Sequence, residues 1–539
     1  MTLIGFEGAT DTTAKPPVPG LVGFEHVRRI PPPYAHQAAI LAKTKDLDAW
    51  ALFLEMRVGK SRIAIETAIH AFKLGRIKYL VVVADNGVHS NWATDELPAW
   101  MPDDFLWKAA VYNSSKASTK RHSWDLDNAF LTKGLGVLCI TYDGAITEGG
   151  KKALWRFLKP GAMLVCDESS SCKSPRARRT LTLIAAAKHA KIRRILNGTP
   201  IDRSPFDIYS QIRLISPDFW SETLGIASFG AFKAQFANMM TFSTSGGQQF
   251  EKVTSYKNLD QLHAALQLIS SRVTRDEVFD LPPKVYGVRP FEMSSDQERI
   301  YNDLKRSLVA DLGAEVICPS CEGKGSTEYA GDSYDCMQCG GSGKVREGGI
   351  MTAANAGVKL MRLQQVLNGY QCAEGEPVTD IPGPNHRLDA LEAEVAQTAG
   401  PWIVWTRFQR DVDKIAERGR ALGFRVGTFD GRTSTDDRIK VRQAFQAGSL
   451  DWFVANPAAA GKGIRLTEAN SVIYYSNSFR LINRLQSEDR PVAENVKRAL
   501  YISDILCRGT LDEHVIKNLR AKIDVAAQIT GDKVREWLA

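Results

Sequence analysis

Short apolar runs alternate with stretches of helical periodicity, and the alternation occurs twice along the chain. In the first half the runs Tyr79 to Ala84, Val137 to Thr141, Met163 to Cys166 and Arg194 to Leu196 read as strands, with an amphipathic stretch such as Arg62 to Leu74 between them. In the second half Trp402 to Thr406, Arg425 to Phe429, Trp452 to Ala455, Val472 to Ser476 and Tyr501 to Leu506 read as strands, with helical patterns at Gln409 to Leu422 and Thr435 to Gln446. Strands that are apolar on both faces and separated by helices belong to parallel sheets covered on both sides. The expected fold class is therefore α/β, with two lobes. A length of 539 residues agrees, because one hydrophobic core rarely organises so much chain.

The expected partition follows the composition. Residues 1–33 carry Pro16, Pro17, Pro19 and Pro31 to Pro33 and read as an extended tether. Residues 34–225 form the first lobe and 376–508 the second. Between them, 226–375 reads as a mostly helical linker, broken by the polar stretch Thr241 to Ser255 and by a cysteine-rich insertion at 316–346. Residues 509–539 read as a helical brace. No stretch approaches the ~20 apolar residues of a membrane span. The beginning lacks a basic-then-apolar leader, so a cytoplasmic protein is expected. Lys and Arg number 69 against 61 Asp and Glu, a net +8 that suits a polyanionic partner without requiring one. The scattered Cys139, Cys166, Cys172, Cys372 and Cys507 read as buried free thiols.

Chemistry first shows at Leu52-Phe53-Leu54-Glu55-Met56-Arg57-Val58-Gly59-Lys60-Ser61, which opens a helix-like run. A glycine turn aims backbone N–H groups at phosphates, a lysine neutralises the outer ones, and a hydroxyl ligates magnesium. Gly59, Lys60 and Ser61 supply that trio. About a hundred residues later Asp167-Glu168 closes an apolar run. One carboxylate there can hold magnesium while the other orients a water.

Further motifs come in a fixed order: Tyr34-Ala35-His36-Gln37, Ser90-Asn91-Trp92 with Glu96, Thr141-Tyr142, Asp167-Glu168-Ser169-Ser170, Lys173-Ser174-Pro175, Leu196-Asn197-Gly198-Thr199-Pro200, Asp207 to Gln211 and Leu281-Pro282-Pro283-Lys284. The second half adds Trp405-Thr406-Arg407-Phe408, Ala460 to Thr467, Gln486-Ser487-Glu488-Asp489-Arg490 and Gly509 to Glu513. This series resembles the superfamily-two helicases and, within them, the Swi/Snf-like translocases of compact phage or prokaryotic type. The resemblance implies two RecA-like lobes with ATP between them. Gln37 would read the adenine, while Arg57, Val58, Gly59, Lys60, Ser61 and Arg62 would surround the phosphates. Magnesium would sit on Ser61 and Asp167, with Glu168 as general base. Gly463 and Gln486 would face ATP from the second lobe, and Arg490 would act as arginine finger. Thr199 would couple the ATP site to nucleic acid. Asn91, Trp92, Thr141, Tyr142, Lys173 and Phe408 would lie along the nucleic-acid path, core packing being the alternative for the rings.

The expected function is an ATP-dependent translocase or helicase on duplex or branched DNA, held by phosphate contacts without sequence reading. Replication or recombination proteins are the partners by analogy. The alternatives are an ATP-gated DNA clamp that hydrolyses feebly, and an RNA helicase. Three departures from the family pattern motivate the clamp or mark local variation. Arg57 stands where the branch carries glycine, Ala493 where motif VI carries a second arginine, and Ser169 where the acidic motif carries alanine.

The insertion reads Cys318-x2-Cys321-x14-Cys336-x2-Cys339, each pair followed by Gly-x-Gly. Thiolates so spaced suit one tetrahedral zinc, and the unit resembles a single zinc module of the J-domain co-chaperones. A closed site of this kind is structural. Lys324, Lys344 and Arg346 would either touch a phosphate backbone or simply face solvent.

Overall fold

The structure is a computed structural model. It describes residues 30–243, 249–311, 315–317, 322, 324, 326–329, 332–335, 344–346, 353–371, 378–460, 464–492 and 498–532. Most of the expected tether, Cys372, Gly463, Ala493 and the cysteines 318, 321, 336 and 339 lie outside the described residues.

The first lobe is built on a 7-stranded parallel sheet. Its strands are β1 (Ala49–Leu54), β2 (Tyr79–Ala84), β3 (Trp107–Val111), β4 (Leu135–Thr141), β5 (Ala162–Asp167), β6 (Ile192–Leu196) and β7 (Ser270–Val273), in the order β3-β4-β2-β5-β6-β1-β7. Alternate residues of β2 serve opposite cores. Tyr79, Val81 and Val83 face one cluster with Phe157 and Trp220, while Leu80, Val82 and Ala84 face the other with Ile65 and Trp92. Burial on both faces explains why β2 reads as an uninterrupted apolar run.

The second lobe has a 6-stranded parallel sheet of β8 (Lys284–Phe291), β9 (Trp402–Trp405), β10 (Val426–Phe429), β11 (Trp452–Ala455), β12 (Ser471–Tyr474) and β13 (Leu500–Cys507), ordered β8-β13-β12-β9-β11-β10. Both sheets are parallel and flanked by helices, as the alternation requires. The stretch expected as a helical linker contributes strands to both: β7 pairs with β1, and β8 pairs with β13 over its full length. Three of the strands that the apolar pattern did not mark, β3, β7 and β8, are edge or near-edge strands with half-exposed residues, so they lack a continuous apolar signature. Residues 274–283, including Pro282 and Pro283, connect β7 to β8 and thus one lobe to the other.

A second connection is made by helix α1 (Leu511–Thr530). Leu511, Val515 and Leu519 enter the second lobe's core, whereas Ile529 enters that of the first. At its end the Ile529 carbonyl meets His263 Nδ1 at 2.8 Å. Asp532 then takes two bonds from Arg272, Nε at 2.8 Å and Nη2 at 2.7 Å. Arg272 also donates to the carbonyls of Phe53 and Gly198, so the end of this helix is pinned to the backbone beside the phosphate loop.

Candidate active site

The phosphate loop leaves β1 at Leu54 and enters the helix Lys60–Lys73. Gly59 turns the chain at φ +94°, in the region that favours glycine. Glycine is required a second time by space, since a Cβ here would lie 2.2 Å from Gln37 Nε2. Gln37 is buried, donates to the Val58 carbonyl at 3.2 Å and accepts from the Tyr34 N–H at 3.2 Å. Its amide, expected at the adenine, is thus engaged with the loop backbone and holds the turn in shape. The Lys60 ammonium donates to the carbonyls of Leu54 (2.9 Å) and Glu55 (3.1 Å). Burial pulls its pKa down, while Glu168 and Asp167 pull it up.

Asp167 ends β5, and its carboxylate is fixed from two directions. Trp92 Nε1 donates to Oδ2 at 2.9 Å, and the Glu168 N–H donates to Oδ1 at 2.9 Å. Tyr142 donates from its hydroxyl to the Asp167 carbonyl at 2.8 Å. Of the two readings for Trp92 and Tyr142, nucleic-acid path or core packing, the structure shows the packing: both rings are buried and hold Asp167. Glu168 adopts a left-handed backbone, φ 53°, which turns its side chain toward the cleft. Ser169 is more than tolerated variation. Its hydroxyl donates to Gln211 Oε1 at 2.7 Å, and Asn197 Nδ2 donates to the same oxygen at 2.9 Å. Gln211 Nε2 returns to the Pro200 carbonyl at 2.7 Å, which joins the acidic motif to the Asn197–Pro200 segment through one buried amide. Thr199 lies in that segment, its N–H bonded to Asn197 Oδ1 at 3.0 Å.

Other expected residues are placed as follows. Arg62 is buried, paired with Glu66 at 2.7 Å and stacked on Trp100, and it donates to the carbonyls of Pro31 and Pro32. Lys173 is paired with Asp202 at 2.7 Å, and Asp202 Oδ1 accepts from the Ile482 N–H of the second lobe at 3.0 Å. Thr141 caps the following turn by accepting from the Gly144 N–H at 2.8 Å, and Asn91 is exposed. Phe408 is half-buried under the Arg407 guanidinium. Arg194 is buried and donates to the carbonyls of Thr44 and Leu47, which makes it a structural staple.

From the second lobe, the helix Leu481–Glu488 brings Gln486 and then Arg490 to the first. A buried network holds this helix. Arg484 pairs with Glu488 at 2.5 Å and with Asp504 at 2.6 Å, lies 3.5 Å from the Tyr474 ring centre, and is almost fully buried. Arg490 is 2% exposed and donates to the Ile464 carbonyl at 3.3 Å. Burial lowers its pKa, opposed by Asp489 and by Glu168 across the cleft. A cavity of about 360 Å³ lies here, lined by Lys60, Ser61, Asp167 and Glu168 from one lobe and by Arg465 and Arg490 from the other. Glu96 also lines it, bonded to Ser61 and Trp100, with its pKa raised by burial. Sequence reading quoted Glu96 in a motif without giving it a role, and it passed over Arg272. In neither case does spacing place the side chain at the phosphate loop.

The arrangement is that of a nucleotide site closed between two lobes: a glycine turn with its lysine and hydroxyl, paired carboxylates, and an arginine delivered from the opposite side. Comparison with known proteins agrees. Residues 30–329 match the SNF2-related domain, and residues 386–492 match the helicase conserved C-terminal domain. The chain is 24% identical over 509 residues to the Xenopus tropicalis SWI/SNF-related matrix-associated actin-dependent regulator of chromatin subfamily A containing DEAD/H box 1, which covers 89% of this chain and 49% of that protein. It is 21% identical over 485 residues to the Saccharomyces cerevisiae transcription regulatory protein SNF2, covering 88% of this chain and 26% of that one. The chain therefore spans about half or less of these relatives' lengths. Among solved structures, the Sulfolobus solfataricus SWI2/SNF2 ATPase core in complex with dsDNA aligns over 94% of this chain and 96% of that one, at 18% identity and a TM-score of 0.37. The chain belongs to the SNF2-related family of helicase-like ATPases.

Proposed function

We propose that the chain is a DNA-stimulated motor that hydrolyses ATP with magnesium and moves along duplex or branched DNA. The observation that carries the reading is the cleft in which Lys60 and Glu168 of one lobe meet Arg490 of the other, since hydrolysis there is tied to the approach of the lobes. Gly59 and Lys60 would bind the outer phosphates, and Glu168 would take a proton from the attacking water. The Ser61 hydroxyl and the Asp167 carboxylate form a hard oxygen set, already turned toward the cleft, that fits magnesium. When bound, that ion would neutralise charge on the phosphates. The Ser169–Gln211–Asn197 network would pass the state of the site to Thr199 and its neighbours. Arg176 and Arg178, exposed just after the acidic motif, supply cations for phosphate contacts.

The deciding experiment is steady-state hydrolysis with no nucleic acid, then with single-stranded, duplex and forked DNA and with RNA. Strong stimulation by duplex or forked DNA is expected, and Lys60→Ala or Glu168→Gln should abolish it. Low turnover throughout, with ATP-dependent DNA binding retained, would instead identify a clamp; stimulation by RNA alone would identify an RNA helicase.

The zinc assignment rests on the cysteine spacing. The described strands near it pair antiparallel, Ile317 opposite Lys344 and Ser326 opposite Asp335. One zinc per chain is expected by metal analysis, and a metal-free preparation of undiminished stability would refute it.

A further inference from the structure

We propose that Arg57 is a second arginine finger on the ATP phosphates, delivered from the phosphate loop of the first lobe. The proposal rests on the ATPase reading above and deepens it. Arg57 holds φ 68°, a left-handed conformation that side chains bearing a Cβ avoid. Such outliers persist where the surroundings over-determine them, and they gather at ligand sites. Here the strained backbone carries a guanidinium into the cleft that also holds Lys60, Glu168, Arg465 and Arg490. The head group donates to the Val492 carbonyl and, at 3.4 Å, to the Arg490 carbonyl. It thus lies on the backbone of residues 490 and 492, and Arg490 lines the same cleft as Glu168.

Two departures from the pattern of the resembling family bear on this proposal. The second arginine of motif VI is replaced by Ala493, and the glycine of the phosphate loop is replaced by Arg57. In the sequence, a cation absent at position 493 is matched by one gained at position 57. The electrostatics are those of a site made for a polyanion. Arg57 is crowded by Arg275, Arg465 and Arg490 with Asp489 as counter-charge, and burial together with these neighbours pushes its pKa down to about 10. Phosphate oxygens would relieve that crowding. In the reaction, water attacks the γ-phosphorus, Glu168 accepts the water's proton, and the bond from that phosphorus to the β–γ bridging oxygen breaks. The released electron pair leaves on ADP, and a guanidinium bonded to those oxygens stabilises the charge as it forms.

The alternative role for Arg57 is a clasp between the lobes, and the two roles separate on ligands of different charge. Binding of ADP and of ADP with aluminium fluoride, a mimic of the transferring phosphoryl group, would be measured for the full chain, for Arg57→Gly and Arg57→Lys, and for Lys60→Ala. The expected result is that Arg57→Gly loses affinity for the fluoride complex by ~10²-fold, with ADP binding little changed. Arg57→Gly combined with Ala493→Arg should recover much of that loss. Equal weakening of both ligands, or an unchanged fluoride affinity, would overturn the proposal in favour of a clasp. Arg57→Lys covers any folding defect of the glycine variant, because it keeps a charge yet should lose the two-pronged contact and fall between the two. Lys60→Ala keeps the outcomes apart. If it binds both ligands like the parent chain, the ATPase reading itself fails; if it loses them while Arg57→Gly does not, only the role of Arg57 fails.

Discussion

The two sides of the cleft are held by different physics. On the first lobe the reactive groups are set by backbone turns and by hydrogen bonds among mostly neutral partners: Gln37 over Gly59, Trp92 on Asp167, and Ser169 with Asn197 on Gln211. On the second lobe the presenting helix is held by buried charge, Arg484 between Glu488 and Asp504, with Lys284 and Tyr286 on the outer side of Glu488. Turns and neutral bonds tolerate small perturbations separately, because each costs about 1 kcal/mol. Buried charges stand or fall as a set, since removing one leaves the others desolvated without a partner. The first lobe is thus a fixed platform, whereas the second presents its arginine from a network that has one correct arrangement.

This contrast orders the expected effects. Arg484→Met should be the most damaging, destabilising the second lobe by ~3–5 kcal/mol as Glu488 and Asp504 lose their shared counter-ion; thermal unfolding that leaves the second lobe as stable as before would dissolve the contrast. Trp92→Phe comes next. A hydrogen bond to a carboxylate contributes ~1.5–3 kcal/mol, so the melting temperature should fall by several degrees and turnover should drop clearly with it; a loss of stability with intact kcat would mean that the indole only fills the core. Gly59→Ala should cost ~1–2 kcal/mol from the left-handed backbone alone and also displace Gln37, which would show as weakened nucleotide binding; Gln37→Ala in the same chain should return part of it by making room. Ser169→Ala should be smallest, ~0.5–1.5 kcal/mol. Its informative readout is the ratio of DNA-stimulated to basal hydrolysis, and an unchanged ratio would show that the Ser169–Gln211–Asn197 network is scaffolding rather than coupling.

Much of this was legible in the sequence, for identifiable reasons. β2 and β5 are buried on both faces, so their residues are apolar without interruption and the parallel sheets announce themselves. Lys60 opens the helix after β1, and Asp167 and Glu168 stand at the end of β5, positions where residue type and order carry the chemistry. The strands β3, β7 and β8 were hidden because an exposed edge relaxes the apolar requirement. For Trp92 and Tyr142 the motif left core packing open beside the nucleic-acid path, because it shows which residues gather but not which way a ring points. Burial and the bonds to Asp167 decide that. Arg272 could not have been found at all: its partners Phe53, Gly198 and Asp532 are distant in sequence, and only the fold brings them together.

The helix Leu511–Thr530 gives the molecule a closed mechanical circuit. Among the described residues, 274–283 carry the chain from one lobe to the other, and this helix leaves one core and seats Ile529 in the other. Those two joins define a line, and turning about it would strain neither, although the bonds of Ile482 to Asp202 and of Arg57 to Val492 would have to break. Opening of the cleft would therefore be more like a lid turning on a pin than jaws parting at a single joint. One end of that axis is Asp532 gripping Arg272, beside the loop where the phosphates would lie, so turning is sensed there first.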